Sequence, residues 1–245
     1  SINFTVNANL NPGTYNDTVI ANFGGGNVQY LFVQLVVKHP APYWAVNPAQ
    51  YQYSMNIIAN YSLTQANAPL STDVNDRIAV FSGNQLRGVG NITYQQVGNV
   101  YAAFITVYSN SVAGEPLRFR MWDASTGIEY EAVQTATFVN NAVLGQQLAP
   151  MILNPAGRVQ RIPVASGWNW FSLNVVNPNM GVNNILRYLA ADSAMIVKTD
   201  DVYAQFSPAI NSWAGTLSAF NYQKSYMIWM TRTDTLEIVG NPLAD

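Results

Sequence analysis

Four groups of residues in this chain carry enough chemistry to build a site. The single imidazole, His39, sits in Lys38-His39-Pro40-Ala41-Pro42. A general base needs a nucleophile and an orienting acid held beside it, and a proline-flanked linker fixes neither. With no cysteine in the sequence, thiol catalysis, disulfides and Cys/His zinc sites are excluded, and a Ser-His-Asp triad has only His39 to build on. The expectation is a chain that is not an enzyme and carries no organic cofactor. Asp73, Asn75 and Asp76 of STDVNDR, with Asp123 of WDAS brought near by folding, offer alternating oxygens of the kind calcium collects in sixes to eights. The spacing lacks the glycine and terminal glutamate of an EF-hand loop, so the same residues also read as Asx turns and as ion-pair partners of Arg77 or Arg87.

The third group is aromatic: six Trp and fourteen Tyr. Sugar rings stack their C–H faces on indoles because both surfaces are flat and apolar. Trp44, Tyr51 and Trp213 are the expected exposed members of a glycan site, whereas Trp168 and Trp170 at i and i+2, and Trp122 behind LRFRM, have the spacing of buried layers. The fourth group is four N-x-[ST] sequons, at Asn3, Asn16, Asn60 and Asn91. In so Asn- and Thr-rich a chain about three or four arise by chance, which makes them weak glycosylation signals.

Composition bounds what these groups can serve. Charged residues are 10% of 245, against roughly 25% in ordinary soluble domains, and Lys+Arg 11 against Asp+Glu 13 leaves a formal net charge of -2. That gives no electrostatic footprint for a phosphate backbone or an anionic membrane, so neither nucleic acid nor membrane insertion is expected. No apolar run reaches 18 residues, and Ser1 leads into strand residues rather than a leader, so a soluble, mature chain is expected. Polarity carried by Asn, Gln, Ser and Thr, without disulfides, suits an extracellular or cell-surface bacterial protein resting on large β cores.

Period-2 segments separated by turn residues every 8 to 12 positions predict a mainly β chain of tandem sandwiches, Ig-like or jelly-roll-like. Residues 2–8, TYNDTVIANF and VQYLFVQLVV form three strands in 1–40, turned by NPGT and GGGN. A run of about eight short strands from Tyr43 makes one sandwich over 41–155, within which the strand 100–108 is apolar on both sides and is expected to be central and doubly covered. Asn154-Pro155-Ala156-Gly157 reads as the next break. Residues 156–245 form a small β-rich domain with one short helix, predicted over 180–191 from Val182, Ile185, Leu186 and Leu189 at i, i+3, i+4, i+7.

FTVNANLNPGTYNDTVIANF and VQYLFVQLVV resemble the C-terminal half of BACON-like sandwich modules, where an L-x-P-G-x-Y turn feeds a strand pair ending in V-x-L-x-V. YWAVNPAQYQYSMNIIA, NDRIAVFSGNQLRGVG, FITVYSNSVAGEPLRFRMWDASTGIEY and GWNWFSLNVVNPNMGVNNILRYL resemble repeat-type modules of large secreted and cell-surface proteins of Bacteroidetes-type bacteria. The resemblance implies an accessory, adhesive or structural role and no catalytic residue. Its partners would be other copies of the chain, neighbouring surface modules, or glycans.

Half a sandwich must be completed by something. In the 28–37 strand, Val28, Tyr30, Phe32 and Val36 face one way and Leu31, Val33, Leu35 and Val37 the other, so both faces ask for burial. Phe4, Val6, Tyr30, Phe32, Val33 and Leu35 are therefore the expected assembly residues, joining copies of the chain into a filament by strand complementation or packing.

Overall fold

A computed structural model describes residues 10–22, 24–64 and 66–243. The chain is mainly β, as its alternation predicts. A first hairpin pairs β1 (Gly13–Asn22) with β2 (Val28–Val37), from Gly13↔Val37 to Asn22↔Val28. Gly24, Gly25 and Gly26 take positive φ in its turn, a conformation that a side chain would strain. Residues 2–8, with Phe4 and Val6, lie outside the described residues.

The sandwich is built from β3 (Tyr53–Tyr61), β4 (Arg77–Ser82), β5 (Gln85–Gln95), β6 (Val100–Ser109), β7 (Ala113–Asp123), β8 (Ile128–Val139), β9 (Val143–Leu144) and β10 (Met151–Leu153). One layer is β3, β6 and the end of β5, with β9 and β10 parallel to β3. The other is the start of β5 with β4, β7 and β8. Strand β5 turns the corner, pairing with β4 up to Asn91 and with β6 from Ile92. A Cβ at Gly88 would lie 2.6 Å from the Thr106 carbonyl oxygen, and one at Gly90 2.9 Å from that of Phe104. Only glycine lets β5 run this close over β6. Between the layers sit Met55, Ile57, Ile78, Val80, Ile105, Phe119, Met121 and Phe138, all essentially without solvent contact. Strand β6 is central, but it is not doubly covered: Ile105 and Val107 face the core while Phe104 is exposed. Sequence apolarity on the second side marks an open face here, not a third layer.

The remaining elements are β11 (Pro155–Val164), β12 (Gly167–Ser172), β13 (Val175–Val176), α1 (Val182–Ile185), β14 (Ile196–Thr199), β15 (Val202–Ser207), β16 (Ser212–Gly215), β17 (Ser225–Met230) and β18 (Asp234–Pro242). A five-stranded sheet ordered β12-β17-β14-β15-β16 packs on β11, β18 and β13 around Phe171, Ile185, Val197, Trp213, Tyr226, Ile228 and Ile238. The helix is one turn, shorter than 180–191. Val182, Ile185, Leu186 and Leu189 do share the buried side, but Asn183 and Asn184 spend their side chains on Trp213, Asn177 and Asn179, which favours turns over helix.

The NPAG segment opens a strand rather than a break. Strand β11 pairs at its start with β8 (Pro155↔Ala132, Arg158↔Tyr130) and then with β18 from Arg158↔Gly240 to Val164↔Asp234. One hydrogen-bonded sheet therefore runs from the sandwich into the C-terminal unit.

Candidate functional site

Side chains alternate across a strand, so β7 sends Leu117, Phe119 and Met121 into the sandwich core and Arg118, Arg120 and Trp122 to the opposite face. On β8, Glu129 and Glu131 stand directly opposite Trp122 and Arg120. Farther along the same face, Arg161 of β11 stands opposite Glu237 of β18. These residues close a ring of alternating charge. Arg120 Nη1 donates to Glu129 Oε1 at 2.9 Å, Arg161 Nε to Glu129 Oε2 at 2.7 Å, Arg161 Nη1 to Glu237 Oε1 at 2.8 Å and Arg120 Nη2 to Glu237 Oε2 at 2.5 Å. Arg120 Nε and Arg118 Nη1 share Glu131 Oε2, and the Tyr188 hydroxyl donates to Glu131 Oε1 at 2.9 Å. Tyr188 and Phe81 stack on the guanidinium of Arg118 at 4.0 and 4.7 Å. Arg120 is fully buried. Burial opposes its charge, but Glu237, Glu129 and Glu131 outweigh that, and its pKa moves up. For Glu237, burial pushes toward the neutral acid while the Arg120 hydrogen bond and the charges of Arg120, Arg161 and Arg118 win, holding the carboxyl below its ordinary range.

Beside the ring lies an open cleft of about 680 Å³ between the 40–45 linker and the sheet face, lined by Tyr43, Trp44, Phe81, Trp122, Glu129, Arg161 and Glu237 among others. Two carboxylates in one cleft is the constellation of glycoside hydrolysis, whose acid must hold a raised pKa. Here all four oxygens of Glu129 and Glu237 accept from arginine, and Glu237 shifts the other way. What the arrangement does chemically is fasten the sandwich strands to the C-terminal strands. Sequence reading did not single these residues out, though LRFRM and IEYE around the ASTG turn place arginines and glutamates at matching i, i+2 positions of a hairpin.

The expected site residues fall as follows. His39 rests against Gly127, where a Cβ would lie 2.4 Å from the imidazole, and it makes no hydrogen bond or ion pair among the described residues. The linker around it is pinned: Arg77 donates to the carbonyls of Pro42 and Trp44 at 2.9 and 3.1 Å, and Lys38 pairs with Asp73 at 2.9 Å. Asp73, Asp76 and Asp123 line one pocket of about 300 Å³, but their oxygens are committed. Asp76 accepts from the hydroxyls of Tyr61 and Ser71 and from Ala124 N, while Asp123 caps the turn by accepting from Ser125 and Thr126. Asn75 donates to Asp73 and does not line that pocket. Among the described residues no three acids or imidazoles group as metal ligands. These residues take the Asx-turn and ion-pair reading, with Lys38 in place of Arg77 or Arg87 as the cation.

The aromatic expectation is reversed. Trp44 is 6% exposed and Trp213 7%, and Tyr51 is half-buried, stacked on Tyr108 under Arg87. Trp213 belongs to the C-terminal core and Trp44 seals the outer face against Phe81. Trp168, Trp170 and Trp229 are the exposed indoles. They alternate against Phe171, Tyr226, Ile228 and Met230, which β12 and β17 turn inward, so i, i+2 spacing marked the solvent side of a one-face-buried sheet. Of the sequons, Asn16 and Asn91 are exposed and Asn3 lies outside the described residues. Asn60 is fully buried with its amide donating to the Ser71 and Tyr101 carbonyls, which removes it as a glycosylation site.

The hairpin is the other conspicuous surface. Neither β1 nor β2 pairs with any further strand among the described residues. Facing pairs Ile20/Tyr30 and Thr18/Phe32 lie on one side, and Tyr15/Leu35 and Val19/Leu31 on the other. Phe32 is 81% exposed, Tyr30 and Ile20 are exposed as well, and Val33 and Leu35 on the second face are only half-covered. Among the described residues no helix is long and apolar enough to cross a membrane. No family model, no curated protein and no solved structure matches this chain.

Proposed function

We propose that this chain is a non-catalytic structural and adhesive module of a bacterial cell-surface assembly, joined to a second copy of itself through the β1–β2 hairpin. The observation that carries the reading is a two-stranded sheet with apolar side chains on both faces and no third strand among the described residues. Such a hairpin is marginal alone, and two open edges accept a further strand. Among the described residues the three hydrophobic clusters take their first buried residues at Trp44, Met55 and Val164 and include none from the hairpin, so the body of the protein does not rest on it. The low net charge offers little repulsion against pairing. Strand addition of this kind is heterologous and grows filaments when the rotation does not close. The resemblance of 1–37 to half a sandwich, and the extracellular placement expected from composition, point the same way. The test compares the full chain with one beginning at Pro40 by sedimentation and electron microscopy across a range of concentration. The full chain is expected to form concentration-dependent polymers, and the truncated chain to stay a folded monomer. A full chain that remains monomeric at high concentration, or a truncated chain that still polymerises, overturns the reading.

A further inference from the structure

We propose that the open face of the C-terminal five-stranded sheet holds a single polysaccharide chain, with one pyranose ring stacked on Trp170. The inference is independent of the hairpin. Trp170 on edge strand β12 is 71% exposed and has no ring partner among the described residues. It walls a pocket of about 410 Å³ completed by Met227, Lys198, Thr199, Asp200, Lys224 and Ser225. One apolar wall beside a set of donors and acceptors is what a sugar presents in mirror image: a C–H face and a rim of hydroxyls.

The charges argue for this occupant over a protein. Lys224 pairs with Asp200 at 2.8 Å, leaving Asp200 Oδ1 open as an acceptor. Lys198 Nζ lies 4.7 Å from the Trp168 ring centroid and has no carboxylate partner among the described residues. An apolar protein surface laid here would bury that ammonium unpaired, at a cost such interfaces avoid. Hydroxyl groups satisfy it. The geometry also selects the form of the glycan. Trp229 meets Trp168 edge-on, with centroids 5.5 Å apart and planes at 68°, so the three indoles do not make a flat strip. A crystalline polysaccharide face finds no coplanar platform, whereas one chain lying along Trp170 into the pocket needs only one.

The experiment screens the full chain on an array of soluble hexopyranose oligosaccharides of both α and β linkage, follows the best by calorimetry, and runs microcrystalline cellulose alongside. The expected result is binding to at least one soluble oligosaccharide and none to the crystalline solid. Trp170→Ala should weaken it about tenfold or more at unchanged melting temperature, and Lys198→Met should weaken it less. The chain beginning at Pro40 should bind as the full chain does, which separates this outcome from the hairpin reading. No binding to any soluble oligosaccharide, undiminished binding by Trp170→Ala, or a dimer that Trp170→Ala dissociates overturns the proposal.

Discussion

Arg120 Nη2 lies 2.5 Å from Glu237 Oε2 although 117 positions separate the two residues. The contact joins β7 of the sandwich to β18 of the C-terminal unit beneath Tyr188, so the ion-pair ring is a joint between two cores. Taking a guanidinium out of water is costly, and three carboxylates with good geometry are what offset that cost.

Arg120→Met is therefore expected to destabilise the protein by about 3–5 kcal/mol, because it takes the one fully buried cation from three carboxylates and leaves Arg161 and Arg118 alone to balance Glu129, Glu237 and Glu131. The same variant should loosen the coupling between the cores. Calorimetry is expected to give one transition for the native chain and two for Arg120→Met, and a single unshifted transition would contradict the joint.

Acid should act through Glu237. Its folded pKa lies below its ordinary 4.5, so its stabilising contribution is complete above the ordinary carboxylate range and fades as pH falls through the folded value. Urea midpoints measured between pH 7 and pH 3 should drop more steeply for the native chain than for Glu237→Gln, which is already weakened at pH 7 and has no proton to take up there.

Asp76 carries the opposite sign. Burial raises its pKa despite the hydrogen bonds from Ser71, Tyr61 and Ala124, so ionisation works against the fold as pH rises through the carboxylate range. Asp76→Asn keeps an acceptor for Ala124 N and lets its amide donate to the two hydroxyls, so it is expected to cost under about 1.5 kcal/mol. Asp76→Ala leaves buried groups unpaired and should cost about 2–3 kcal/mol by denaturant titration.

Calcium should leave the melting temperature where it is, because the oxygens of Asp76 and Asp123 already accept from backbone and hydroxyl donors. Scanning calorimetry in millimolar calcium and in chelator tests this. A rise with calcium that Asp123→Asn abolishes would show that the loop reorganises around the ion.

The fold class was legible because alternation is a local property. Leu117, Phe119 and Met121 announce a strand whatever they pack on. The joint was not legible, since Arg120 and Glu237 meet only through a strand order that no short window encodes. The exposed indoles failed for a related reason. Trp168 and Trp170 at i, i+2 establish a shared face, but which face meets the core is decided by Phe171, Tyr226 and Ile228 across the sheet. Trp44 follows a proline-rich stretch and is buried by Phe81, 37 positions on, while Trp213 is covered by Phe206 across its own hairpin and by Asn183 from the helical turn, 30 positions back.

The shared strand β11 bears on how such a protein can be cut and recombined. A splice at 154 would take β11 from the edge of β8, and one at 164 would leave β11 on the upstream fragment while its partner β18 went with the downstream one. Gly157 lies so close to Gly240 that a Cβ there would sit 2.9 Å from its carbonyl, so a foreign segment cannot simply be grafted across the seam. Residues 43–243 should thus be inherited, expressed and exchanged as one cassette, and half-length fragments should be found insoluble.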